Sequence, residues 1–109
     1  MTDNEKKEIY AEFDELVNMS ASQLKKWLQS EESSNVGMDS GDGESVGHKS
    51  GEHIIEILDR KKADLSDDDY AHMRKVVGYI KRHRAQRPKE VAGSNWAYSL
   101  KNWGHDPEK

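Results

Sequence analysis

Seven cations and no carboxylate lie between Tyr70 and Lys89, in a chain whose net charge is −4. Lys and Arg side chains bind phosphate groups through charge and through their N–H donors, and such contacts supply most non-specific affinity for DNA. The sequence therefore predicts a nucleic-acid-binding surface that contacts the DNA backbone and does not read bases. The candidate binding residues are Arg74, Lys75, Gly78, Lys81, Arg82, Arg84, Arg87 and Lys49.

Gly78 lies in the middle of this basic stretch. On a helix it is surrounded by the residues three and four positions away, which are Arg74, Lys75, Lys81 and Arg82. Glycine inside a helix costs about 0.5–1 kcal/mol relative to alanine, so its presence invites a reason. Two interpretations stay open. In the first, the bare backbone between the cations lets a phosphate chain or a partner's backbone approach closely. In the second, Gly78 touches a neighbouring helix or is merely tolerated, and the cations form a solvated face.

Charge is divided unevenly along the chain. Residues 1–46 hold 4 basic and 11 acidic residues, a net charge of −7, whereas residues 47–109 hold 13 basic and 10 acidic residues, a net charge of +3. This asymmetry fits a polyanion as partner for the second half, or attraction between the two halves. The alternative function is therefore a protein-interaction or self-association module, in which the basic face meets an acidic protein or the N-terminal half of another copy.

Glycine and serine dominate residues 30–50, which predicts a loop. Within it, Val46-Gly-His-Lys-Ser-Gly51 is similar to the second half of a helix-hairpin-helix motif. In that motif a glycine turn presents helix N-terminal amides to a phosphate, and Lys49 would add charge. The other interpretation is a glycine-rich turn in which Ser50 caps an ordinary helix. The residue spacing does not fit a P-loop or a calcium loop.

Capping signals and apolar spacing predict four main helices and a short fifth one. Thr2-x-x-Glu5 and Ser20-x-x-Gln23 precede helices at about 4–17 and 21–29. The remaining helices are expected at 51–63, with Ile54, Ile55 and Leu58 inward, at 67–87, and from Ser94 through Trp96, Leu100 and Trp103.

The helix at 67–87 has the clearest beginning and the clearest buried face. Ser66 is the predicted N-cap, and three Asp residues follow it in the first turn, where they complement the helix dipole. Placing successive residues 100° apart puts an apolar arc on one side and the cations opposite it. The residues of this arc are Tyr70, Met73, Val76, Val77 and Ile80.

Composition limits the fold class. With 109 residues, 33% hydrophobic and 35% charged, the chain can bury one small core, which predicts a single domain over residues 1–109. Together with the five predicted helices, this leads us to expect an all-α helical bundle. The sequence has no Cys, which excludes disulfides and thiolate sites and fits a reducing compartment. No apolar run approaches membrane-spanning length. We expect a cytoplasmic protein that does not contact membranes.

Catalytic and metal-binding patterns are not found. The five His residues are scattered, without a Ser-His-Asp ordering or the spacing of metal ligands. We expect neither an enzyme nor a cofactor nor a metal site. The C-terminal Trp residues are expected to pack in the core, with an exposed contact patch of Trp103 and His105 as the alternative.

Several stretches of the sequence together resemble one family. They are Gly43-Glu-Ser-Val-Gly-His, His53-Ile-Ile-Glu-Ile-Leu, residues 62–79, His83-Arg-Ala-Gln-Arg-Pro and residues 96–107. These stretches look like the small microbial proteins grouped as domain of unknown function 3140, and the resemblance covers nearly the whole chain. It implies a stand-alone, intracellular, mostly helical protein. Members often carry a generic DNA-binding label, and the resemblance supplies no catalytic residues.

Overall fold

Helices form all the regular structure in the computed structural model, which describes residues 2–30 and 46–108. The five α-helices are α1 (Asp3–Leu16), α2 (Ala21–Leu28), α3 (Val46–Asp59), α4 (Asp67–Arg84) and α5 (Asn95–Asn102), with a short 3-10 turn at Lys62–Asp64. The predicted all-α class is confirmed for these residues. None of their helices combines the length and the apolar character that crossing a membrane requires.

Side-chain caps fix where four of the helices begin. The N-caps are Thr2, Ser20, Ser66 and Ser94. Gln23 and Asp69 complete reciprocal capping boxes, since each side chain accepts a hydrogen bond from the backbone N–H of its cap. These caps satisfy backbone donors that no carbonyl of the same helix can reach. The predicted starts near these residues are therefore correct.

The core forms around α4, which packs against α1, α3 and α5, while α2 packs against α3 and α5. The predicted arc of α4 is buried as a whole, and α1 contributes Ile9, Phe13 and Leu16. On α3 the buried residues with large apolar side chains are Ile54 and Ile57, whereas Ile55 and Leu58 are partly buried, so the prediction that placed Ile54, Ile55 and Leu58 inward is only partly correct. Sixteen apolar residues of the described chain form one cluster, to which each of these five helices contributes.

Helix α3 begins earlier than predicted. It starts at Val46, so Ser50 and Gly51 lie inside the helix and do not form a turn before it. Ser50 is buried and its hydroxyl hydrogen-bonds with His72 Nε2 at 2.9 Å, instead of capping a helix. The helix-hairpin-helix interpretation and the Ser50 cap are therefore both wrong. The predicted loop loses residues 46–50 to α3, and its residues 31–45 lie outside the described part of the chain.

Helix α4 ends at Arg84, three residues before the predicted end at Arg87. The reason lies in the carbonyl of His83, which accepts hydrogen bonds from the Trp96 indole N–H at 2.7 Å and from the backbone N–H of Gln86 at 3.1 Å. Continuing the helix would require this carbonyl to accept from the amide of Arg87. Packing of α5 therefore ends α4 before Pro88 does.

The segment after α5 forms hydrogen bonds with the junction between α1 and α2. His105 Nδ1 donates to the Leu16 carbonyl at 2.6 Å, the Met19 N–H donates to the Gly104 carbonyl, and Asn18 exchanges hydrogen bonds with the backbone of Asp106. Burial lowers the pKa of His105, which favours the neutral ring in this position. Trp103 and His105 are both buried, so the predicted exposed contact patch is wrong.

Candidate nucleic-acid interface

Acidic side chains of α1 occupy part of the basic face of α4. Arg74 Nη2 lies 3.2 Å from Glu5 Oε2, and Lys81 forms an ion pair with Glu12. Both pairs join residues that are 69 positions apart, which means that α1 and α4 run parallel. The attraction between the two halves of the chain, one interpretation of the charge asymmetry, is therefore present within one molecule.

These ion pairs lie at the surface. The side chains of Arg74 and Glu5 are 60% and 45% exposed, and those of Lys81 and Glu12 are 59% and 43% exposed. Hydrogen bonds from Thr2 and then from Arg74 lower the pKa of Glu5. Exposed pairs contribute only about 0–1 kcal/mol, because water and salt screen them. A competing anion can therefore displace either carboxylate at small cost.

Gly78 is half-buried and lies on the surface of α4 between the two cations that pair with α1 and the two cations Lys75 and Arg82. Among residues 2–30 and 46–108, apart from Val77, Tyr79 and the nearby backbone of α4, a Cβ atom built on it would have Arg82 as its only neighbour within 4 Å, with Nη1 at 3.3 Å. No other element of the described chain covers this glycine, so a contact with a neighbouring helix does not explain it. Lys75 and Arg82 are both exposed beside it. We call Lys75, Gly78 and Arg82 the outer strip.

Arg84 and Arg87 extend the positive charge beyond the outer strip. Both are exposed, and the Arg87 guanidinium lies over the Trp96 ring, with Cζ 5.8 Å from the ring centroid. The charge of Arg84 contributes to the lowered pKa of His105. The structure thus divides the candidate cations of this region into two groups. Arg74 and Lys81 pair with α1. The other four lie on the outer strip and at or just beyond the C-terminal end of α4, and they are Lys75, Arg82, Arg84 and Arg87.

Lys49 lies on a different element from the other candidates. It is exposed in the first turn of α3, which begins at Val46. Lys49 therefore lies near the N-terminus of this helix, as predicted, but within the helix and not in a glycine turn before it. Its role beside the α4 cations stays a prediction.

A column of aromatic rings runs along the edge of α4 that faces α3 and α5, and the sequence analysis missed it. Neighbouring centroids are 4.1–6.3 Å apart and the planes are within 24° of parallel. In order, the rings are those of His53, His72, Trp103, Tyr79, His83 and Trp96. Three of them come from α4 at spacings of seven and four residues, which place them on one helical edge. This spacing of rings along α4 is the feature of the sequence that could have predicted the column.

A polar cluster lies at the α3 end of the column. Asp69 is 1% exposed, and its carboxylate contacts His53 Nε2 at 3.0 Å and Arg60 Nη1 at 2.7 Å. Burial opposes ionisation of Asp69, but hydrogen bonds from Ser66, His53 and Arg60 outweigh it and hold the pKa well below its ordinary value. The prediction that Asp69 complements the helix dipole is therefore incomplete, because this residue also joins α3 to α4.

His72 is the other titratable member of this cluster. Burial, followed by the charges of His53 and Lys75, lowers its pKa to about 4. The Nε2 atoms of His72 and His53 are already hydrogen-bonded, to Ser50 and Asp69 respectively. Within the described residues no group of three His, Cys, Asp or Glu side chains is arranged to hold a metal ion. The cluster is best explained as a structural joint between α3 and α4.

Comparison with known proteins gives one match. A family model described as "Protein of unknown function (DUF3140)" matches residues 12–101, from within α1 to within α5. No curated protein and no solved structure matches the chain. The match agrees with the family resemblance seen in the sequence, and the description of the family assigns no activity.

Proposed function

We propose that this protein, which belongs to the family described as protein of unknown function DUF3140, is a non-enzymatic module that binds nucleic acid through the DNA phosphate backbone. Lys75 and Arg82 contact phosphates beside Gly78, and Arg84 and Arg87 extend the contact past the end of α4. Such contacts hold a nucleic acid in place without reading its sequence. The cytoplasmic location predicted from the sequence belongs to the same proposal.

The open position of Gly78 carries this proposal. A neighbouring helix packed over Gly78 would have removed the surface, whereas among the described residues only the flexible end of Arg82 approaches it. A helix without a side chain at this position lets a phosphate approach the backbone closely, with a cation on either side. The distance along α4 between Lys75 and Arg82, seven residues apart, is about 10 Å at 1.5 Å per residue.

The paired cations support the same function in a secondary way. Glu5 and Glu12 place carboxylates where Arg74 and Lys81 would otherwise meet phosphates. Because both pairs are exposed, a phosphate can replace a carboxylate with little loss of free energy. Arg74 and Lys81 therefore add phosphate contacts to those made by the outer strip.

Titration of a fluorescently labelled duplex at two or more salt concentrations tests the proposal. With about four phosphates neutralised, the logarithm of the binding constant should fall with the logarithm of salt concentration with a slope of about −3.6. The double variant Lys75→Glu/Arg82→Glu should lose binding at low salt, because it reverses both charges of the outer strip.

A matched control changes the same charge elsewhere. Lys25 and Lys26 are exposed on α2, and the variant Lys25→Glu/Lys26→Glu lowers the net charge by the same amount. This control should bind the duplex nearly as tightly as the unchanged protein. Absence of binding at low salt, or equal loss in both double variants, contradicts binding through α4.

One observation favours the alternative function, a protein-interaction or self-association module with an acidic partner. The cations of α4 already bind carboxylates from α1, so an acidic helix is a chemically suitable ligand for this face. Light scattering at low and high salt separates the two functions. A salt-sensitive dimer that does not bind the duplex supports self-association, whereas a monomer that binds the duplex supports the nucleic-acid proposal.

A further inference from the structure

Trp96 and Arg87 form an aromatic and cationic pair at the C-terminal end of α4. The Arg87 guanidinium lies over the indole, with Cζ 5.8 Å from the ring centroid. Arg87 is exposed and Trp96 is half-buried, so the pair is accessible from solvent. Nucleic-acid bases stack on both indole rings and guanidinium planes, which makes such a pair a suitable place for a single base.

The Trp96 ring is held rigidly in this position. Its indole N–H donates to the His83 carbonyl at 2.7 Å, and His83 Nε2 lies 3.2 Å from the Trp96 carbonyl oxygen. The imidazole of His83 lies 5.8 Å from the indole and within 14° of parallel to it. A ring that is already fixed loses little conformational entropy when a ligand stacks on it.

Arg87, in contrast, lies outside the regular helix, in the connection between α4 and α5. Bases stack about 3.4 Å apart, so a base placed between the guanidinium and the indole needs about 7 Å. The guanidinium, whose Cζ now lies 5.8 Å from the ring centroid, must therefore move away from the indole to admit a base. An exposed Arg side chain makes such a movement easily, because its stem has several rotatable bonds.

We propose that the protein prefers single-stranded nucleic acid, and that Trp96 and Arg87 together hold one base of the strand. This inference rests on the proposed function, since Lys75, Arg82 and Arg84 supply the phosphate contacts of the same strand. In a duplex the bases are paired and stacked on each other, so only the phosphates are available to this surface. A flexible single strand offers both phosphates and an unstacked base.

Binding of three probes tests the preference: an oligothymidylate, a duplex of the same length and inorganic polyphosphate. The oligothymidylate should bind more tightly than the duplex and should quench tryptophan fluorescence. Inorganic polyphosphate, which has no bases, should bind without quenching. The variant Trp96→Leu should weaken oligothymidylate binding by roughly 5- to 150-fold, the loss of one stacked base, and leave polyphosphate binding unchanged.

Two further variants separate stacking from a structural role. Trp96→Phe keeps an aromatic face but loses the hydrogen bond to His83, so it should retain most of the affinity for oligothymidylate even if its melting temperature falls. Trp27→Leu is the matched control, because Trp27 is also half-buried and has a cation, Lys101 Nζ, 5.0 Å from its ring centroid. This variant should bind oligothymidylate like the unchanged protein.

The outcomes distinguish this inference from the proposed function. Equal affinity for oligothymidylate and duplex, with no change in tryptophan fluorescence, overturns the base-stacking inference and leaves phosphate binding intact. Equal loss of oligothymidylate binding in Trp96→Leu and Trp27→Leu also overturns it. Absence of binding to all three probes at low salt overturns both proposals.

Discussion

Two glycines inside helices serve opposite purposes in this protein. Gly51 lies where α3 crosses α2 and α5, and a Cβ atom on it would lie 2.6 Å from the Asn102 carbonyl oxygen and 2.9 Å from both methyl groups of Leu28. Gly78 lies on the outer strip of α4, where, within the part of the chain that the structure describes, the same atom would meet only Arg82, at 3.3 Å. One glycine permits close packing of helices, and the other leaves a charged surface open.

The difference shows that glycine in a helix has no fixed meaning. At Gly51 the nearest atom belongs to the backbone of another helix, which can move only if α3 and α5 separate. At Gly78 the nearest atom is the end of a flexible side chain, which can rotate away. The identity of the neighbouring atom therefore decides whether the missing side chain is needed for folding.

The largest expected effect comes from adding a methyl group at the packed glycine. Gly51→Ala should lower the free energy of unfolding by about 1–3 kcal/mol, because overpacking against a backbone atom forces α3 away from α5. Urea unfolding followed by circular dichroism measures this change. A loss below about 0.5 kcal/mol would mean that the helix crossing can relax, and the contrast between the two glycines would disappear.

Acid should destabilise the contact between α3 and α4 in which His72 hydrogen-bonds with Ser50. His72 is protonated near pH 6.5 when unfolded but only near pH 4 when folded, because burial and the charges of His53 and Lys75 oppose its proton. The contribution of neutral His72 to stability is therefore complete above pH 6.5 and is lost as the pH falls from 6.5 through about 4. Asp69, with its lowered pKa, stays ionised in this range.

Urea unfolding at a series of pH values between 7 and 4 measures the loss. The variant His72→Gln cannot take up this proton and should show a flatter pH dependence than the unchanged protein. An equally steep dependence in both proteins would assign the acid sensitivity to other groups, of which buried His105 is the first candidate.

The smallest expected effect comes from Gly78, which is half-buried but loosely surrounded, and it has the opposite sign. Gly78→Ala should raise the free energy of unfolding by about 0.5–1 kcal/mol, since alanine favours the helix and only the end of Arg82 must shift. Thermal unfolding of Gly78→Ala beside Gly51→Ala gives the comparison directly. Destabilisation by Gly78→Ala would show that the outer strip is more closely packed than its neighbours indicate.

Local features of the fold were predictable because neighbouring residues determine them. Ser66 and Asp69 form their capping box within one turn, and the apolar arc of α4 follows from a period of 3.6 residues. The start of α3 was not predictable in the same way. Glycines and Ser50 favour a turn by local preference, but burial of Gly51 against α5 and the hydrogen bond between Ser50 and His72 stabilise a helix instead.

In the candidate site, too, some features follow from neighbouring residues and others depend on contacts between distant parts of the chain. The positions of Lys75, Gly78 and Arg82 on one face follow from helix geometry alone. The pairing of Arg74 with Glu5 depends on how α1 lies along α4, which involves residues 69 positions apart. No local pattern encodes such a contact, so the sequence predicted the cations without indicating which of them are paired.

The hydrogen bonds between residues 104–106 and the α1–α2 junction affect how the protein folds during synthesis. The hydrogen bonds from Asn18 to Asp106 and from His105 to Leu16 span 88 and 89 residues. Contacts of such high sequence separation form late, because a long loop must close before they contribute. During synthesis on the ribosome, the orientation of α1 relative to α2 is therefore fixed only after residues 104–106 have emerged.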